Sequence, residues 1–98
     1  MRIALPISER DPDSSICMMD DRVCFAVMEL DENSRISTID FFDEKDDIYQ
    51  RADIFVIQSP QEDVAELMEL GVKILLAEYG ATIEDIHEAF MFTQLKEL

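Results

Sequence analysis

The chain has 98 residues, 23 acidic and 8 basic, for a formal net charge of −15, and 48% of it is apolar. That length and apolar share predict one domain, residues 1–98, burying roughly two-thirds of the surface its unfolded chain exposes. The charge argues against nucleic acids and anionic membranes, whose binding depends on Lys and Arg, and favours cations or a protein partner with a basic surface.

Arg2–Ile7 reads as a short apolar strand, followed by the polar stretch Ser8–Ser15, a loop on its turn chemistry around Pro12. The whole segment Ser8–Asp21 is expected to be poorly held, because it offers few apolar anchors. Val23–Leu30 is the clearest strand: Val23, Phe25 and Val27 alternate with Cys24, Ala26, Met28 and Leu30. Both sets are apolar, which predicts cover on both faces. Asp31–Ser34 makes a hairpin connection to Ile36–Phe42, whose more polar alternation suits an edge strand. Asp43–Asp47 is an acidic loop or the first turn of a short helix.

Ala52–Ile57 is a continuous β-rich apolar run, as expected of a buried parallel strand. Ser59-Pro60-Gln61-Glu62 reads as a helix start, with Ser59 as N-cap and Glu62 closing a capping box. Val64, Leu67 and Met68 form the predicted apolar stripe, ended by Gly71 as a left-handed cap. Val72–Ala77 is the next strand. Thr82 caps a last helix, with Asp85 at the box position and Ile83, Ile86 and Phe90 on the buried face. The order predicts an α/β fold: a mixed, roughly five-stranded sheet with helices packed on it, ending in a parallel crossover.

Several function classes drop out. Two glycines, Gly71 and Gly80, cannot build a phosphate-cradling loop. No apolar run reaches the roughly 20 residues of a membrane span, and no basic-then-apolar leader is present. The expected location is cytoplasmic, where Cys17 and Cys24 stay reduced. No hydrolase signature surrounds a Ser or Cys, and the acidic balance argues against a nuclease. The expectation is that the chain is not an enzyme.

Met1-Arg-Ile-Ala-Leu-Pro6 at the start and Gly71–Phe90 at the end resemble the dinitrogenase iron-molybdenum cofactor biosynthesis family. Its members open with Met-Lys-Ile-Ala-hydrophobic-Pro and end with a Gly-Ile-Lys-Val-Tyr strand and a Gly-Thr-Val-Glu-Glu helix start. The resemblance covers nearly the whole chain. It implies a three-layer α/β/α domain with a ribonuclease H-like motif. It also implies a non-enzymatic carrier or chaperone of an iron-sulfur or iron-molybdenum cluster precursor. The family's His-Phe-Gly-Arg-Ala motif falls on Met18-Met-Asp-Asp-Arg22, which puts Met18 or Met19 at the histidine. The family's Gly-Ile-Gly turn falls on Ser59-Pro60-Gln61. Cys17, Met18, Met19, Ser59 and Gln61 are thus the candidate cofactor-binding residues, with Cys17 and Met18 as metal ligands.

Thiolate and thioether donors suit Cu(I), zinc or cluster iron, yet the same residues also serve as adaptable core filler. Cys24, within a two-faced apolar strand, reads as core, and the spacing of the two cysteines is not that of a zinc finger. His87, the only histidine, borders the apolar face of the last helix and reads as a hydrogen-bonded structural residue. Asp43, Glu44, Asp46 and Asp47 read as a solvated acidic run without the glycine of a calcium loop. Asp20 and Asp21 beside the candidate loop would repel an anionic cluster. The alternative expectation is a divergent member that binds no cluster and acts as an acidic protein-interaction module.

Overall fold

Six strands form one mixed sheet in the order β3-β2-β1-β4-β5-β6. The computed structural model describes all residues, Met1–Leu98. β1 (Arg2–Ile7), β2 (Cys24–Leu30), β3 (Ile36–Phe42), β4 (Ile54–Ile57) and β5 (Lys73–Leu76) lie where the apolar patterning puts them, within two residues at each end. β1, β4 and β5 run parallel, and β2 and β3 are antiparallel to their neighbours. The roughly five strands expected become six. β6 (Lys96–Glu97) adds to β5 antiparallel, and two charged residues carry no alternation from which to foresee it.

Alternation along the strands sends side chains into two separate apolar clusters. Ile3, Leu5, Cys24, Ala26, Ile54 and Val56 join Ile83 and Ile86 of α3 (Ile83–Met91). Ala4, Phe25, Val27, Phe55 and Ile57 join Ile48 of α1 (Asp46–Tyr49) and Leu67 of α2 (Ala65–Glu69). The two-faced reading of β2 holds, except that Val23 lies outside the strand and is 59% exposed.

The helices start where local chemistry allows. Thr82 caps α3: its hydroxyl accepts from the Asp85 N–H at 3.1 Å, and the Asp85 carboxylate accepts from the Thr82 N–H at 3.2 Å. The predicted start at Ser59 is overturned. Pro60 and Gln61 make a turn in which the Glu62 N–H reaches the Ser59 carbonyl at 3.2 Å, and α2 begins only at Ala65. Glu62 closes no box because its carboxylate is engaged elsewhere. Met68, expected on the buried stripe, is 48% exposed. Gly71 ends the segment with φ +80°, as a left-handed cap requires.

Candidate functional site

Neighbouring strands β1 and β4 are parallel, but the chain leaves their carboxyl ends in opposite directions: from β1 back to β2, and from β4 out to β5. In open α/β sheets such a switch point is where ligands bind. Three loops meet at this edge: residues 8–23 after β1, 58–64 after β4 and 77–82 after β5.

The loop after β1 is better held than its composition predicts. Ile16 is buried and bridges to Ile7, and Ser15 bridges to Thr82. The Ile16 N–H donates to the Ala81 carbonyl at 2.8 Å, and the Ile83 N–H to the Ser14 carbonyl at 3.2 Å. Buried Ser14 accepts from the Glu9 N–H at 2.9 Å. One apolar residue, Ile16, among polar neighbours is enough to pin the segment because both sheet and helix receive it.

Cys17 follows, half-buried, its N–H donated to the Pro6 carbonyl at 3.2 Å. Burial pushes its thiol above the ordinary range, and the charges of Asp21 and Glu62 push the same way, against Arg22. The thiolate that would bind a metal is therefore disfavoured here. Met18 and Met19 are half-buried, and Met19 packs against the α1–α2 cluster. Met19–Asp21 forms a single 3-10 turn. The Met19 N–H donates to the Glu62 carboxylate at 2.8 Å, while the Arg22 guanidinium donates to the Met19 carbonyl at 2.7 Å and lies 4.4 Å over the Phe25 ring.

The predicted residues come together only in part. Met19 and the Ser59–Glu62 turn are joined directly through Glu62. The Ser59 hydroxyl accepts from the Gln61 N–H at 3.2 Å, holding the turn's own shape, and the Gln61 side chain is exposed. Cys24 is fully buried in the sheet core. His87 is committed to the β2–β3 hairpin, its Nε2 2.7 Å from the Ser34 carbonyl. Asp43 pairs with Arg10 at 2.7 Å. No group of three or more His, Cys, Asp or Glu side chains is arranged to hold a metal ion. The donor set at Cys17–Met19, with the carboxylates of Asp21 and Glu62 beside it, does not fit an anionic cluster.

Glu62, Arg22, Gln58 and Gly80 are the residues sequence reasoning missed. Gln58 follows β4 and accepts from the Gly80 N–H at 3.1 Å, tying the second loop to the third. Its one signal is a polar residue at the carboxyl end of a buried strand.

No protein-family model matches the chain, and neither does any curated protein. Two solved structures are similar. The crystal structure of PH0822 superposes with a TM-score of 0.78 at 16% identity, covering 100% of this chain and 96% of the other. The NMR structure of a Thermotoga protein of the DUF35 family, described provisionally as NifB, gives a TM-score of 0.75 at 17% identity over 99% and 92%. At these identities the likeness shows the fold: a mixed α/β sheet with three helices.

Proposed function

We propose that this chain is a divergent accessory domain of the dinitrogenase iron-molybdenum cofactor biosynthesis type. It is one three-layer α/β/α unit over residues 1–98, and it binds rather than catalyses. The strand order through β5, with β2 alone of these five strands running against the others, supports a ribonuclease H-like motif. The Thermotoga neighbour supports the nitrogenase connection. On that fold the chain acts as an acidic interaction module in the cytoplasm, meeting a protein partner with a basic surface. The observation that carries this reading is Glu62: its carboxylate takes the Met19 N–H, in the loop where the resemblance puts a cluster ligand. That backbone donor is already satisfied by the protein's own carboxylate, which supports a loop that takes no anionic cargo.

A second reading, carriage of an iron-sulfur or iron-molybdenum cluster precursor as cargo, is favoured by one observation. Cys17, Met18 and Met19 share the loop at the sheet's switch point. Anaerobic incubation with iron and sulfide, followed by metal analysis and absorption spectra, separates the two. The interaction-module reading expects no stoichiometric metal in the wild type. Stoichiometric, coloured loading that is lost in Cys17→Ser with the fold intact would overturn it in favour of the carrier.

A further inference from the structure

A groove of about 670 Å³ runs between α3 and the β5–β6 edge of the sheet. Its size falls in the range of ligand sites, about 300–1,000 Å³. Apolar surface comes from Ile86 and Ala89 on α3 and from Leu95 before β6; Glu78 after β5 and Glu88 on α3 supply carboxylates, against a single cation, Lys96 of β6. None of the four ion pairs of the molecule uses either carboxylate, and neither side chain makes a hydrogen bond to another group. Elsewhere, Glu29, Asp43, Glu66 and Glu97 each have a cationic partner. Beside the groove Tyr79 is 87% exposed, an aromatic face available to a cation.

We propose that this groove is the docking site for a short, basic, amphipathic segment of a partner protein. The proposal rests on the reading of the chain as an interaction module and names the surface that does the work. The charge of the walls selects the occupant. Glu78 and Glu88 offer unpaired carboxylates to Lys or Arg, while Ile86, Ala89 and Leu95 receive the apolar side of the same segment. An acidic segment, or a second copy of this chain with its net charge of −15, would be repelled by Glu78 and Glu88, which outnumber Lys96 in the lining. The groove follows a nine-residue helix, about 13 Å long at 1.5 Å per residue, so a few residues of the partner suffice to fill it. Long-range attraction would speed the encounter, and salt would weaken it.

The test uses the full chain, isotope-labelled, titrated at low salt with a short Lys/Leu peptide and separately with a Glu/Leu peptide of the same length. Expected are amide shift changes concentrated at Glu78–Ala81, Ala89 and Leu95 with the basic peptide alone. Glu78→Gln with Glu88→Gln should weaken binding about tenfold, whereas the exposed pair Glu32→Gln with Glu69→Gln should leave it nearly unchanged. Ala89→Arg, checked for folding by its melting curve, should abolish it by filling the groove with a like charge. Shift changes spread evenly over the acidic surface, with both double variants weakened equally, would overturn the groove and leave the interaction module standing. Equal binding of the acidic peptide would overturn the charge argument and the proposal with it. No binding of either peptide would count against both the groove and the module.

Discussion

The backbone N–H of Met19 and the carboxylate of Glu62, 43 positions apart, form a hydrogen bond of 2.8 Å that joins the loop after β1 to the turn after β4. The bond is partly buried and its acceptor is an ionisable carboxylate, which makes it stronger than a neutral pair. It also satisfies the Met19 N–H within the protein.

Removing that acceptor should be felt locally and globally. Glu62→Ala is expected to cost about 1–3 kcal/mol by leaving the Met19 N–H without its partner, lowering the melting temperature by several degrees. The Met19 amide should also exchange faster. Glu66→Ala, which breaks only the exposed pair with Lys45, should stay within about 1 kcal/mol of wild type. Equal losses in the two variants would contradict a structural role for the Met19–Glu62 bond.

Two phenylalanines should behave in opposite ways. Phe55 is fully buried, with ring centroids 6.0 Å from both Phe25 and Tyr49 in edge-on contact. Phe55→Ala should cost about 3–5 kcal/mol through lost burial and a cavity. Phe92 is 65% exposed, and Phe92→Ala should shift stability by no more than about 0.5 kcal/mol. Urea titrations of both variants measure the contrast directly.

Thr82→Ala removes the hydroxyl that caps α3. The expected loss is about 0.5–2 kcal/mol. Because Ser15 pairs with Thr82 and the Ile83 N–H reaches Ser14, fraying there should also speed amide exchange in the loop after β1. Faster exchange confined to α3 would show that loop and helix are held independently.

Stability should fall at both ends of the pH scale. Burial raises the thiols of Cys17 and Cys24 and the phenol of Tyr49, so the folded chain holds these protons more tightly than the unfolded chain. The contribution of the two thiols is complete below about pH 8.5 and is lost as pH climbs through their raised folded values, while that of Tyr49 is complete up to about pH 10. Asp31 is the reverse case. The backbone N–H groups of Arg35 and Asn33 hold its carboxyl below the usual range, with bonds of 3.0 and 2.8 Å. Its contribution is present above about pH 3.9 and disappears as pH drops through the lower folded value. Urea midpoints from pH 3 to 10 should trace this plateau, and Cys24→Ala should flatten the alkaline side. A wild-type midpoint still rising beyond about pH 9 would contradict the alkaline assignment.

The sequence by itself determined the features that depend on near neighbours. Alternation in β1 and β2 assigned each side chain to a sheet face, Thr82 and Asp85 specified a helix start, and Gly71 specified a helix end. Each rests on contacts or dihedral preferences within a few residues, so the local pattern carries the information. Only the tertiary structure decided the partners of groups with more than one chemical use. Ser59-Pro60-Gln61-Glu62 has the letters of a capping box, yet the Glu62 carboxylate meets Met19, because the strand order places the two loops side by side. His87 reads from the sequence as a hydrogen-bonded structural residue, but only the fold supplied its partner, the carbonyl of Ser34 in the β2–β3 hairpin. β6 exists because Lys96 and Glu97 reach the free edge of β5, not because two charged residues favour a strand. A side chain's chemistry limits what it can bind; which partner it meets across the fold depends on where the sheet topology brings the chain back.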